Sequence, residues 1–202
     1  MSKNKKIHYY DTGSFWRYFI IEYIENKELP EEIKKYSPLN SDIKISRMIS
    51  PWTVEEFFHA YITEQRQKIK LPENLTYPNK FFEKEIKKRT EILTKIKTFV
   101  YFFSQEEIKT REINEIFLSL IFSSRENNIL SIKKKDKKIN SKDLLHMSYA
   151  LYFHSDTFIT CDNGFELLKN VDTIKRILIQ YKLKEIVILD EKFKKITKRI
   201  TF

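Results

Sequence analysis

Apolar residues change spacing along this chain, and the changes divide most of it into strands and helices. Ile7 to Tyr10 is a short apolar stretch behind a lysine cluster and predicts a first strand, broken by Asp11-Thr12-Gly13. From Ser14 to Ile24 the apolar residues crowd together without strand alternation, which predicts a buried helix. Pro30 and Pro38 bracket a polar connection with room for a short helix. Ile43 to Ile49 alternates apolar and polar positions as a half-buried strand does. Ser50-Pro51 then starts a helix, because serine caps well and proline suits the first helical position. Val54, Phe57, Phe58, Tyr61 and Ile62 form its apolar stripe.

Residues 65 to 97 are polar, charged and punctuated by proline, which predicts an excursion, helical after Phe81. Phe99 to Phe103 is a dense, strand-sized apolar run. Ile113, Ile116, Phe117, Leu120 and Ile121 predict another amphipathic helix, and a lysine-rich loop follows from Ser131 to Lys138. Ser141 can cap a helix that is apolar nearly all round and therefore central. Thr157 to Thr160 predicts a strand, Asn163 to Lys169 a helix start, Thr173 to Tyr181 a helix, and Ile186 to Leu189 the last strand, followed by a basic tail. Strands alternating with helices predict an α/β fold with a mainly parallel sheet, in one domain spanning 1–202 with a mostly helical insertion at about 65–130.

Composition narrows the function classes. The chain has 202 residues, 41% of them hydrophobic, so it is long enough to bury a core and is not disordered by composition. No apolar run reaches the roughly 18 residues of a membrane span. The basic N-terminus lacks the cleavage site of a signal peptide, and the single cysteine, Cys161, excludes an internal disulfide framework and a cysteine zinc site. A cytoplasmic protein is the expectation. The net charge is +10, from 38 Lys plus Arg against 28 Asp plus Glu. Such a surplus attracts polyanions, nucleic acid above all. An AT-rich genome would give the same Lys-, Ile- and Asn-rich bias, so the charge alone decides nothing.

Three segments carry candidate chemistry. Tyr9-Tyr10-Asp11-Thr12-Gly13 is a strand ending in an aspartate. Ser50-Pro-Trp-Thr53-Val-Glu55-Glu56-Phe57 opens a helix. Asp143-Leu-Leu-His146-Met-Ser-Tyr-Ala150 runs on to Asp156-Thr-Phe-Ile-Thr160-Cys-Asp162-Asn-Gly-Phe165. Function in open α/β sheets gathers beyond the carboxyl ends of the strands, where Asp11 and Asp162 both fall. These segments resemble the PIN-domain nucleases, which include the VapC toxins of bacterial toxin–antitoxin pairs. Asp-x-x-His-x-x-x-Ala followed by aromatic-Ile-Thr-x-Asp-x-x-Phe is the most specific part, and Ser-x-x-Thr-x-x-Glu is less so. The resemblance covers the first strand and helix, residues 43 to 62 and residues 141 to 190.

The resemblance implies a PIN-like three-layer α/β/α fold. It also implies an endoribonuclease whose catalytic and metal-holding carboxylates are Asp11, Glu56, Asp143 and Asp162. Thr12 and Thr160 would be supporting hydroxyls, Mg²⁺ or Mn²⁺ the cofactor, and a 5′-phosphate and a 3′-hydroxyl the new ends. Hard oxygen donors suit those ions, which lower the pKa of bound water and clamp phosphate. The expected partners are an RNA substrate, an antitoxin protein and a second copy of the chain. A PIN nuclease of antiviral defence or RNA processing, acting on RNA or DNA, is the alternative. A catalytically inactive PIN-like binding module is a third reading, against which the intact quartet argues.

Each acid also has a plainer reading. Asp11 can cap the helix after it, Asp143 can be a first-turn acid favoured by the helix dipole, and Asp162 can be a turn residue before Asn163-Gly164. Thr53-x-x-Glu56 is formally a capping box. On a helical wheel Glu56 lies away from the apolar stripe, so Glu55 stays in reserve. His146 at its motif position is more often structural than catalytic. Lys133, Lys134, Lys135, Lys137 and Lys138 precede Asp143 closely and can meet RNA phosphates, or can be a solvated loop. Trp52 and Tyr10 can stack on an unpaired base, although core packing is the simpler expectation.

Overall fold

Period-two alternation builds the sheet at the centre of the molecule. The computed structural model describes residues 5–40, 42, 44–57, 59–60, 87, 90–91, 94, 101–102, 109–131 and 138–202. The six strands are β1 (Lys6–Tyr10), β2 (Ile45–Ile49), β3 (Tyr101–Phe102), β4 (Thr157–Thr160), β5 (Glu185–Leu189) and β6 (Ile196–Thr201), in the order β3-β2-β1-β4-β5-β6. The first five run parallel and β6 pairs antiparallel to β5. Tyr9, Met48, Phe158, Ile186 and Ile188 face one side of the sheet, and Tyr10, Ile49, Ile159, Val187 and Leu189 the other. Both sides are covered, which is why the central strands read as nearly continuous apolar runs.

Helices flank both faces. On the Tyr10 side lie α1 (Thr12–Tyr18) with its π-helical continuation Phe19–Ile24, the short α2 (Glu31–Lys34) and α3 (51–57 and 59–60). Phe15, Tyr18, Phe19, Ile33 and Phe57 from these elements are buried with the sheet residues. On the Tyr9 side lie α4 (Thr110–Glu126), α5 (Ser141–Tyr152) and α6 (Asp172–Gln180), contributing Ile116, Leu120, Leu144, Met147, Ile174 and Leu178. Full burial of each such side chain contributes roughly 1.5–3 kcal/mol. Within the segment 65–130, α4 is therefore part of the core of one face. Residues 61–86 lie outside the described residues, as do Phe58, Tyr61 and Ile62 of the predicted α3 stripe.

Two local expectations are corrected. Asn140 caps α5 where Ser141 was expected: the Asn140 side chain accepts from the Asp143 amide, and the Asp143 side chain accepts from the Asn140 amide. Asparagine is as good a cap as serine, and the reciprocal acid sits three residues after Asn140. The last strand is β6, not Ile186–Leu189. Three of its six residues are exposed, two are half-buried and only Ile200 is fully inside, as befits an edge strand whose other side meets no further strand among the described residues. Basic residues at such an edge discourage pairing with another chain.

The strand order makes a crevice. From β1 the chain moves to β2 and β3 on one side, and β4 and β5 lie on the other, so β1 and β4 flank the switch point. Ligands bind at such points in open parallel sheets, beyond the strand carboxyl ends.

Candidate active site

Asp11 leaves β1 at the switch point and does two jobs. As the cap of α1, its Oδ1 accepts from the Ser14 amide at 2.7 Å. Its Oδ2 accepts from the Thr160 hydroxyl, at the end of neighbouring β4, at 2.6 Å. The side chain is only 7% exposed, and burial pushes its pKa up against the pull of these bonds. The plain capping reading and the site reading thus describe the same residue.

Asp143 and Asp162 face one another across the cavity floor. Asp143 Oδ2 accepts from the Asn140 amide at 3.1 Å, and Asp162 Oδ1 accepts from the Gly164 amide at 2.7 Å. The Asp162 amide donates to Thr160 Oγ1 at 2.9 Å, so one threonine orders both Asp11 and Asp162. Burial first, then the nearby Asp162 and Asp11 charges, push the Asp143 carboxyl up to about 8, against the bond from Asn140. Like-charged carboxyls brought together out of water cannot all ionise freely. Gly164 is closely packed here: a Cβ would lie 3.1 Å from Asp162 Oδ1 and 3.2 Å from Ile139 N. The chain leaving the lysine loop therefore packs directly on the Asp162 turn.

Glu56 comes from α3, and Ser50 is the residue that caps this helix, since its Oγ accepts from the Thr53 amide at 3.1 Å. The Thr53-x-x-Glu56 capping box is therefore not used, and Glu56 lies inside the helix. Its Oε2 accepts from Thr12 Oγ1 at 2.6 Å and stands 3.0 Å from His146 Nε2. Its Oε1 faces Lys142 Nζ at 3.5 Å. Burial would raise its pKa, but the bonds from His146 and Thr12 outweigh it and hold the carboxyl at about 2. Glu55 points to solvent and does not line the cavity. Thr12 of α1 and Lys142 and His146 of α5 reach Glu56 from outside the apolar stripe of α3.

One cavity of about 860 Å³ receives all of these groups: Asp11, Thr12, Glu56, Asp143, His146 and Asp162 line it, with Arg17 and Lys142 as cationic neighbours. Sequence reasoning missed Arg17, Lys142 and the contacts of His146. The signal for His146 was present, since it lies one turn after Asp143 and shares its helix face. Tyr10 is fully buried and cannot stack on a base. Trp52 is half-buried, with Lys142 Nζ 5.9 Å above its ring. Lys133, Lys134, Lys135 and Lys137 lie outside the described residues, while Lys138 Nζ bonds to Asn128 Oδ1 at 2.9 Å.

Among the described residues, no group of three or more His, Cys, Asp or Glu side chains stands where it could hold a metal ion. The donors nevertheless fit Mg²⁺ or Mn²⁺ in kind: Mg²⁺ usually keeps several waters and needs one or two carboxylates. Asp143 and Asp162 could offer those, the Asp143 carboxyl being raised by burial first and then by the Asp162 and Asp11 charges. Among the described residues no helix is long and apolar enough to cross a membrane. No family model, curated protein or solved structure matches the chain.

Proposed function

We propose that this protein is a metal-dependent endoribonuclease of the PIN type. The observation that carries the reading is convergence. Four carboxylates from four separate segments of the chain open into one cavity at the switch point of a parallel sheet. Each can be explained singly as a cap or a surface acid. A fold that only needed caps would have no reason to bury Asp143 beside Asp162 and Asp11, where burial and then their charges push it up to about 8.

Asp143 and Asp162 would hold the divalent cation, with Asp11 and Glu56 completing its surroundings. A bound cation of this kind lowers the pKa of water and offsets charge on a phosphodiester. The chain's own residues set the stage for that chemistry. Thr160 and the Ser14 amide fix Asp11, the Asn140 and Gly164 amides fix Asp143 and Asp162, and Thr12 fixes Glu56. Lys142 and Arg17 put positive charge at the cavity wall, where a phosphate of the substrate would lie. Action as a growth-inhibiting toxin held in check by an antitoxin is the role the VapC resemblance suggests.

The test is cleavage of single-stranded RNA by purified protein with Mg²⁺ or Mn²⁺, with EDTA, and with Asp162→Asn. Cleavage is expected only with the ion and the intact aspartate. Full activity in EDTA after removal of trace metals and contaminating nucleases would refute the mechanism.

A further inference from the structure

His146 is buried to 3% exposure inside the site, and both of its ring nitrogens are engaged. Nε2 stands 3.0 Å from Glu56 Oε2 and 3.3 Å from Thr12 Oγ1. Nδ1 stands 3.4 Å from the Tyr9 hydroxyl and 3.4 Å from Thr53 Oγ1. An ionised carboxylate only accepts, so the network places a proton on Nε2 and leaves Nδ1 to accept from a hydroxyl. Thr53 Oγ1 is in turn 3.1 Å from Oγ of Ser50, the cap of α3. A largely buried polar chain thus runs from the start of α3 through His146 to the glutamate more than one turn further along that helix.

The consequence lies in how Glu56 divides its oxygens. Oε2 receives both Thr12 and His146, whereas among the described residues Oε1 meets Lys142 at 3.5 Å, and Glu56 and Lys142 both line the cavity. Without the imidazole, one threonine hydroxyl would have to hold a side chain with three rotatable torsions.

We propose that His146 is a positioning residue, whose Nε2–H fixes the Glu56 carboxylate so that Oε1 is the oxygen presented to a divalent cation. This rests on the nuclease reading above. Partners that orient a ligating group typically change metal affinity by about 10- to 100-fold when removed.

The experiment is calorimetric titration of the full chain with Mn²⁺, without RNA, for wild type, His146→Leu and His146→Gln. His146→Leu is expected to bind Mn²⁺ about 10- to 100-fold more weakly. His146→Gln, whose amide N–H can replace Nε2–H, is expected to recover most of the affinity. In RNA cleavage, kcat should fall in His146→Leu with little change in KM. A folded His146→Leu that binds Mn²⁺ like wild type would overturn the proposal while leaving the nuclease reading intact. Wild-type protein that neither binds Mn²⁺ nor cuts RNA would overturn the nuclease reading itself. Should His146→Leu fail to fold, long-range proton–nitrogen NMR of the wild-type ring decides: a proton on Nε2 is expected, and a proton on Nδ1 alone overturns the proposal.

Discussion

On the α3 wall of the cavity, Glu56 has two donors on one oxygen and an ammonium facing the other, and its carboxyl is held at about 2. On the α5 wall, Asp143 receives one backbone amide, faces Asp162, and is pushed up to about 8. Burial is the first cause at both acids and raises both, Asp143 being the more buried, so the opposite sign at Glu56 comes from the groups that meet its carboxylate. The difference lies in who compensates the charge. At Glu56 the chain supplies hydroxyl, imidazole and ammonium. At Asp143 and Asp162 the described residues supply backbone amides. The α3 wall is thus closed on itself, and the α5 wall, with less compensation among the described residues, is open.

Replacing the carboxylate on the open wall should have the largest effect, and opposite effects on activity and stability. Asp143→Asn keeps the capping oxygen but loses the charge that would hold the cation. RNA cleavage is expected to fall about 10³-fold or more, the equivalent of several kcal/mol in the transition state. Stability should move the other way at high pH. A carboxyl whose folded pKa lies above its ordinary 3.8 stabilises the fold fully below that value, and the contribution is lost as pH rises through about 8. The metal-free wild type should therefore lose melting temperature between about pH 4 and pH 8, and Asp143→Asn should flatten that slope. Mn²⁺ should flatten it as well. Glu56 has the opposite sign, its contribution being present above its ordinary 4.5 and lost as pH falls through about 2. Parallel melting curves for wild type and Asp143→Asn would show that the open wall carries no electrostatic strain.

The closed wall should respond less sharply. In Glu56→Gln the amide oxygen can still accept from Thr12 and His146, so the fold should survive with the charge gone. Cleavage is expected to fall on the order of 10²-fold, as when one preorganised polar group is removed from an active site. Glu55→Gln, at an exposed position, should change stability by no more than about 0.5 kcal/mol and leave turnover unaltered. Equal losses in the two variants, read from kcat/KM on one RNA, would erase the distinction between a cavity acid and a surface acid on α3.

Most of the architecture was readable because the burial pattern writes itself into the spacing. The apolar runs of β1, β4 and β5 and the stripe of α4 each matched the element formed. β6 escaped notice because an edge strand buries little, and its mixture of lysine, arginine and threonine gives weak alternation. The four acids were readable as types at positions within a resemblance, but their electrostatic roles were not. Nothing in the order Asp143-Leu-Leu-His146 says that the aspartate faces another acid while the histidine reaches across to α3. Those facts depend on how α5 lies against α1 and α3, and so on contacts 90 and 134 residues apart in sequence. Lys142 was overlooked for a related reason: one lysine beside a conspicuous lysine loop draws no attention until Glu56 is found opposite it.

That loop offers the smallest and most discriminating test, because it adjoins the open wall. Its last residues pass within 3.2 Å of where a Gly164 Cβ would stand, next to Asp162. The one loop lysine among the described residues, Lys138, turns away to Asn128. If Lys133, Lys134, Lys135, Lys137 and Lys138 bring positive charge to RNA phosphates, replacing all five with Gln should weaken binding to unrelated RNAs roughly equally. The log–log dependence of affinity on salt should become shallower by about 0.7 per lost contact, since fewer counterions are released. Turnover at saturating RNA should hardly change, because the carboxylates remain. An unchanged salt slope would assign the loop to solvent. The charge facing the open wall would then have to come from the bound cation and from Arg17 and Lys142, the cavity's own cationic residues.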